Sequence, residues 1–400
     1  MGNDLSEADV EVRHDPPVEQ LSRLEKQYEM KFGKVESIIW SYTKIIWPKK
    51  CSFSNDRIPK YCIGGNVLRL SNVSRLMLIL AWRDLKDNRE DEAIRRLQFV
   101  FKMSSLLWSS ANLVAYHLGL SIHAMCLSEI NSMIDSSQIP PNILPEILIL
   151  IEKNRVGVRD LKDSLSGEYD FQKGLWNSEK EARNSVCAIL MEGDMFGALI
   201  GLPCKIVPSK LFIHKNTTER KLYHVYSFIL NETESSTLDI KAYSNTVPES
   251  VYHYNPQVTL CHGFLLDDLP FLQAMGLLLK GNAVGEDVVW STWFYFRIIK
   301  WKYLIVEAKN NALLYKTAIK NYENESGKLP ENGSALIPKY LDRIPDDPFI
   351  RKPLRYSLKQ RLIYSVGWDM KDNGGRSKND FIYLDKQDLQ QEKDWVLHIK

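Results

Sequence analysis

Four hundred residues, 44% hydrophobic and 26% charged, suffice for roughly two to three folded domains with a sizeable core. The net charge of +2 excludes a strong electrostatic footprint, so neither nucleic acid nor an anionic membrane surface is an expected partner. The six cysteines (Cys51, Cys62, Cys126, Cys187, Cys204 and Cys261) form no CxxC and no zinc-ligand spacing. They read as buried thiols, although Cys51 and Cys62 are close enough in sequence to pair in an oxidising compartment.

Residues 1–17 are polar and acidic and read as a flexible arm without a signal peptide. No uninterrupted apolar run reaches about 18 residues. The nearest, 288–307, is broken by Arg297, Lys300 and Lys302, so no membrane span is expected and the chain reads as soluble. A helix is expected over 18–45, ended by Pro48, and a connecting loop over 49–72. Residues 73–135 form the strongest helical block. Its first helix stops at Asp87-Asn88, and Glu90, Asp91 and Glu92 load the first turn of the next, which suits the positive end of the helix dipole. The polar run between them is what an antiparallel αα-hairpin needs. A third helix follows through residues 112–134.

Pro140 and Pro141 open another helix, VRDLKDSLSGEYDFQKGLW predicts a further one, and Ser178 with Glu181 marks a capping box. Residues 205–262 are readable both ways. Spacing favours a helix for 210–230, whereas VYSFIL, TLDIKAY, SVYHY and VTLCHGF would suit strands; the reading adopted is a helix and then an irregular stretch. A short helix is expected over 264–280. From Gly285 a long helix runs to about Tyr322 and ends at Glu325-Ser326-Gly327, where a glycine C-cap is expected. After it come a Pro-rich loop, two short strands and an Asp/Asn/Gly loop.

Few residues suggest chemistry. His117 and His123 lie six apart on one predicted helix, which points them in separate directions, so packed or hydrogen-bonded histidines are expected. Cys261-His262 with Asp267-Asp268 holds the ingredients of a nucleophile and base, but no oxyanion hole or nucleophile elbow accompanies them. The segment IRKPLRYSLKQR carries five basic residues and no acidic one, the pattern of a charged edge strand that resists edge-to-edge pairing. From Gly367 to Asp380, the oxygens of Asp369, Asp372, Asn373 and Asp380 crowd into a turn with Gly374 and Gly375. Hard cations such as calcium want six to eight oxygen ligands, and an Asx-rich turn without metal has the same composition.

At these residues the chain resembles a known family. Residues 308–384 resemble the C-terminal half of the type II secretion major pseudopilin. The matching pieces are Tyr322 and Gly327-Lys328-Leu329-Pro330, then Leu336-Ile337-Pro338-Lys339-Tyr340-Leu341, and Ile344-Pro345-Asp346-Asp347-Pro348-Phe349. Pro353-Leu354-Arg355-Tyr356, Tyr364-Ser365-Val366-Gly367-Trp368-Asp369, Gly374-Gly375 and Asp380-Phe381-Ile382 complete it in the same order. In that family the last loop binds calcium. The resemblance implies the carbonyl of Val366 and the side chains of Asp369 and Asp380 as ligands. The family's acidic pair before the final Asp-Ile stands here as Lys378-Asn379, and the prepilin peptidase site with its apolar helix has no counterpart, so filament assembly by the usual route is not expected. The helical region, including DNREDEAIRRLQ and the SLSGE run, is similar to large uncharacterised proteins of planctomycete-type bacteria. That likeness implies association with the cell envelope.

The expected fold is mainly α: an antiparallel helical array over 18–285, then a long helix and a small pseudopilin-like antiparallel sheet over 286–390. The expected function is a non-enzymatic structural or interaction protein with a protein partner, its C-terminal module stabilised by calcium. The alternatives are a hydrolase-like enzyme with a site between the helical domain and the C-terminal module, involving His262 and Asp267, and a helical domain that binds a small ligand.

Overall fold

Charge decides the first turn. The computed structural model describes residues 64–109, 113–175, 214–234, 283–367, 369–376, 380–382 and 394–400. Helix α1 (Gly64–Lys86) ends at Asp87-Asn88, and α2 (Glu90–Trp108) begins on the acidic triplet. Asn88 takes φ 57° to make the reversal, a conformation that asparagine tolerates. Fully buried Asp84 of α1 accepts from Arg96 of α2 and pairs with Arg89 of the turn at 2.6 Å. One carboxylate thus closes the hairpin from inside.

The loop expected over 49–72 is shorter than its sequence suggests, because α1 is already helical from Gly64. Leu70, Val73 and Met77 continue the helical spacing backwards, and their packing overrides the weak helix propensity of Gly64-Gly65. The helix expected over 18–45, the arm before it, the capping box at Ser178 and the short helix over 264–280 lie outside the described residues.

Helix α3 (Leu113–Asp135) packs along α2. Gly119 permits the close approach: a methyl group there would lie 2.8 Å from the Ser104 carbonyl oxygen and 2.9 Å from the Trp108 amide nitrogen. Pro141–Ile143 form a 3₁₀ turn that opens α4 (Leu144–Lys153). Helix α5 (Val158–Leu175) packs on α3 and on α6 (Lys215–Glu234), so the described part of the ambiguous 205–262 stretch is helical. Among the described residues, α3 is the one helix long and apolar enough to cross a membrane, and 56% of its apolar window is buried inside the protein.

The long helix α7 (Ala283–Ser326) runs for 44 residues and ends at Gly327, whose φ of 71° and amide bond to the Glu323 carbonyl make the expected C-cap. It packs on α3, α4 and α6. The contacts Ser121–Lys302, His123–Asn310 and Asn131–Lys316 advance together along both helices, so α7 runs parallel to α3. At its end it also meets the C-terminal strands.

Strands β1 (Asp346–Asp347) and β2 (Lys352–Pro353) form a two-residue ladder. A second antiparallel sheet has the order β3-β4-β5, from Arg355–Ser357, Leu362–Ser365 and Trp395–His398. The third strand, β5, lies beyond residue 390, past the end of the module as bounded from sequence. Its Trp395 is fully buried and makes an edge contact with Phe349 at 4.7 Å between ring centroids. The basic segment supplies β2 and the edge strand β3, with Arg351 paired to Glu307 and Arg355 to Asp372. Mainly α with a small α+β C-terminal module is therefore the fold.

Candidate functional site

Two features draw attention: a cleft where the array meets the C-terminal module, and the loop at 366–380.

The cleft has a volume of about 440 Å³. Helix α4 contributes Leu148, Ile149, Glu152 and Lys153, α7 contributes Leu314, and the segment from Pro338 to Pro345 forms the opposite wall. Ile149 is 51% exposed although isoleucine is among the residues most often buried. The floor is apolar and the rim carries both signs. Arg155 bridges the two parts: it pairs with Glu152 at 3.2 Å and donates to Asn311 at 2.7 Å. Asn311 donates in turn to the Asp346 carbonyl at 2.8 Å. Across the cleft, Lys339 and the Tyr340 hydroxyl both bond Glu325, and those bonds hold its carboxyl below the usual carboxylate range. Among the described residues, the cleft lining contains no Ser, Cys or His.

The loop is held by carboxylates. Asp394, 2% exposed, accepts from the amides of Asn373 (2.9 Å) and Gly375 (2.8 Å). Gly374 and Gly375 have φ of 76° and 68°, which turns their amides as non-glycine residues rarely could. Asp372 accepts from the Gly374 amide and pairs with Arg355. Asp347 is buried and bonds the amides of Phe349 and Val366; desolvation raises its pKa, and those bonds oppose the shift.

The three residues that the pseudopilin resemblance implies as ligands have separate partners here. Val366 is buried with its amide on Asp347. Asp369 Oδ1 accepts from the Lys371 amide at 3.0 Å, an Asx turn. Asp380 Oδ1 accepts from the His398 amide at 2.7 Å and lies 2.5 Å from His398 Nδ1. Among the described residues no three His, Cys, Asp or Glu side chains cluster as a metal group. The donors themselves, two carboxylates and a carbonyl, are all oxygen, the ligand type that calcium takes. The protein contacts use Oδ1 of both aspartates. Lys378-Asn379 lie outside the described residues.

Sequence reasoning missed Asp394 and His398. The signal lay in the short run Asp394-Trp395-Val396-Leu397-His398, an acid directly before a strand of buried residues.

The remaining candidates resolve into packing. His123 is fully buried, bonded through Nε2 to Asn310 at 3.1 Å, with Phe101 and Trp108 against its ring. Burial lowers its pKa to about 4. Cys126 is a buried free thiol whose pKa is raised by desolvation. The other cysteines, with His262, Asp267 and Asp268, lie outside the described residues.

Set against family models, curated proteins and solved structures, the chain matches none.

Proposed function

We propose that the chain is a non-enzymatic structural or interaction protein that carries a protein partner in the cleft between α4 and the 338–345 segment. The observation behind this reading is the lining: exposed Ile149 over Leu148 and Leu314, ringed by Lys153, Arg155, Lys339 and Asp342. An apolar floor within a polar rim is how protein side chains are received at interfaces. The partner segment carries an apolar anchor flanked by charge. Association with the cell envelope, as the resemblances imply, belongs to the same reading.

The test is comparative capture from the native cell. The Ile149→Glu chain should keep its melting temperature, since the side chain is half in solvent, and lose at least one protein that the parent retains. An identical captured set from both chains would overturn the reading.

Calcium is proposed as a stabiliser of the 366–380 loop, through the Val366 carbonyl, Asp369 and Asp380. Its chemistry would be charge neutralisation and closure of the turn. Millimolar calcium should then raise the melting temperature by a few degrees, as a ligand specific for the folded state must. Asp369→Ala should abolish the shift while costing little in its absence. No shift in the parent chain rejects the calcium proposal and leaves the cleft reading intact.

A further inference from the structure

The α3–α7 interface holds two lysines in contrasting surroundings. Lys316 is sealed and meets a carboxylate, Asp135, at 2.5 Å. Lys302, about four turns earlier on α7, meets a hydroxyl and an imidazole instead. It donates to Ser121 Oγ, and its Nζ lies 3.0 Å from His117 Nε2. Ser121 and His117 stand four residues apart on one face of α3, so both side chains reach the same point on α7. The Ser121 hydroxyl donates its proton to the His117 carbonyl at 3.0 Å, which leaves its oxygen as the acceptor toward Lys302. That commitment also argues against Ser121 as the nucleophile.

Proton counting singles out the amine. A neutral lysine has two N–H bonds and one lone pair. With the His117 ring proton on Nδ1, Ser121 Oγ and His117 Nε2 accept the two N–H bonds and the lone pair is left over. Desolvation lowers the Lys302 pKa to about 8, so the neutral form is well populated near physiological pH. All three residues are half-buried rather than sealed.

We propose that Lys302 is a covalent-modification site whose ε-amine, held by Ser121 and His117, captures small aldehydes as an imine. The Nζ lone pair attacks the carbonyl carbon and the C=O π pair moves to oxygen. A proton leaves nitrogen for His117 Nε2 and passes to that oxygen, giving a carbinolamine. The second N–H proton then leaves with the hydroxyl as water, and the C=N bond forms. No oxidant or reductant is consumed. A desolvated lysine beside a proton acceptor is the arrangement by which proteins activate amines toward carbonyls. His117 is a positioning and proton-transfer group, and Ser121 a positioning residue.

The test uses the full chain with propanal and cyanoborohydride, which reduces and so fixes the imine, followed by peptide mass mapping. At pH 7.5 Lys302 should be alkylated about tenfold faster than exposed Lys153 or Lys359, because far more of it is neutral. Its labelling rate should reach half its plateau near pH 8. His117→Gln, which leaves a hydrogen-bonding amide in place of the proton acceptor, should slow Lys302 severalfold without changing Lys359. Labelling of Lys302 no faster than that of Lys359, or a rate that climbs only toward pH 10.5, would overturn the proposal. The parent chain alone supplies both readouts, so neither depends on a variant that folds.

Discussion

Asp135→Ala should lower the free energy of unfolding by about 3–5 kcal/mol, as expected when a buried pair loses one member. Lys316 is 0% exposed, and its Nζ donates to Asp135 at 2.5 Å and to Asn131 at 2.8 Å. Removing the carboxylate leaves a cation inside the protein with a neutral amide as its remaining bond. Asp135 also lies 3.5 Å from Lys400, so the same change loosens the last residue of the chain. The asymmetry is the decisive part. Lys316→Met should cost less, because the Asp135 carboxylate keeps Asn131 at 3.2 Å and Lys400 at 3.5 Å, and adding it to Asp135→Ala should recover most of the loss, because the double change strands no charge. Urea unfolding of the parent, both single variants and the double variant measures this directly. Equal losses from the two single variants would show that packing, and not the stranded charge, dominates.

The second large effect is on pH dependence. His123 is neutral in the folded chain, with Nε2 donating to Asn310, and no partner meets Nδ1 among the described residues. Burial lowers its pKa from 6.5 to about 4. A base whose folded pKa is depressed is equally neutral in both states above 6.5 and contributes nothing to the pH dependence there. As pH falls below 6.5 the unfolded chain takes up a proton that the folded chain refuses. Stability is therefore lost between pH 6.5 and about 4, and the full loss is about 3 kcal/mol. Carboxylates titrate over part of the same window, so the informative quantity is a difference. His123→Gln keeps a donor for Asn310 and removes the titration. Its unfolding free energy should change less with pH over that window, by about one proton's worth of slope. Parallel curves for the parent and the variant would contradict the assignment.

Local chemistry made part of this fold legible in the sequence. The acidic triplet at Glu90 starts α2, Gly327 ends α7, and the Asp87-Asn88 break makes the hairpin, each through interactions among neighbouring residues. The basic segment from Arg351 to Arg361 does supply an edge strand. What the sequence hid was long-range. Strand β5 is four residues long, too short for periodicity to register, and it becomes a strand only by pairing with Leu362–Ser365 more than thirty residues earlier. The carboxylate that gathers the Asn373 and Gly375 amides is Asp394, on the approach to that strand. The start of α1 was missed for a related reason, since Gly64-Gly65 read as a break and packing further along the helix decides otherwise. In the cleft, Ile149 was legible as part of an apolar helix. Its exposure depends on how far the 338–345 segment stands from α4, which no local pattern records.

Helix α7 has one more consequence. At 44 residues it is a rod of about 66 Å. One stretch of it is covered by α3, α4 and α6, and its end is covered by β1 and β4. A boundary at residue 285 or 286 places α7 with the sheet, and the described helices α3, α4 and α6 pack on it as well. Cut there, the described helices α3, α4 and α6 would lose a surface they pack on. Helix α7 is thus an axle that the described helices of the array and the strands of the sheet share. Anything that grips the cleft, which is built from both sides of that axle, stabilises the helices and the sheet together.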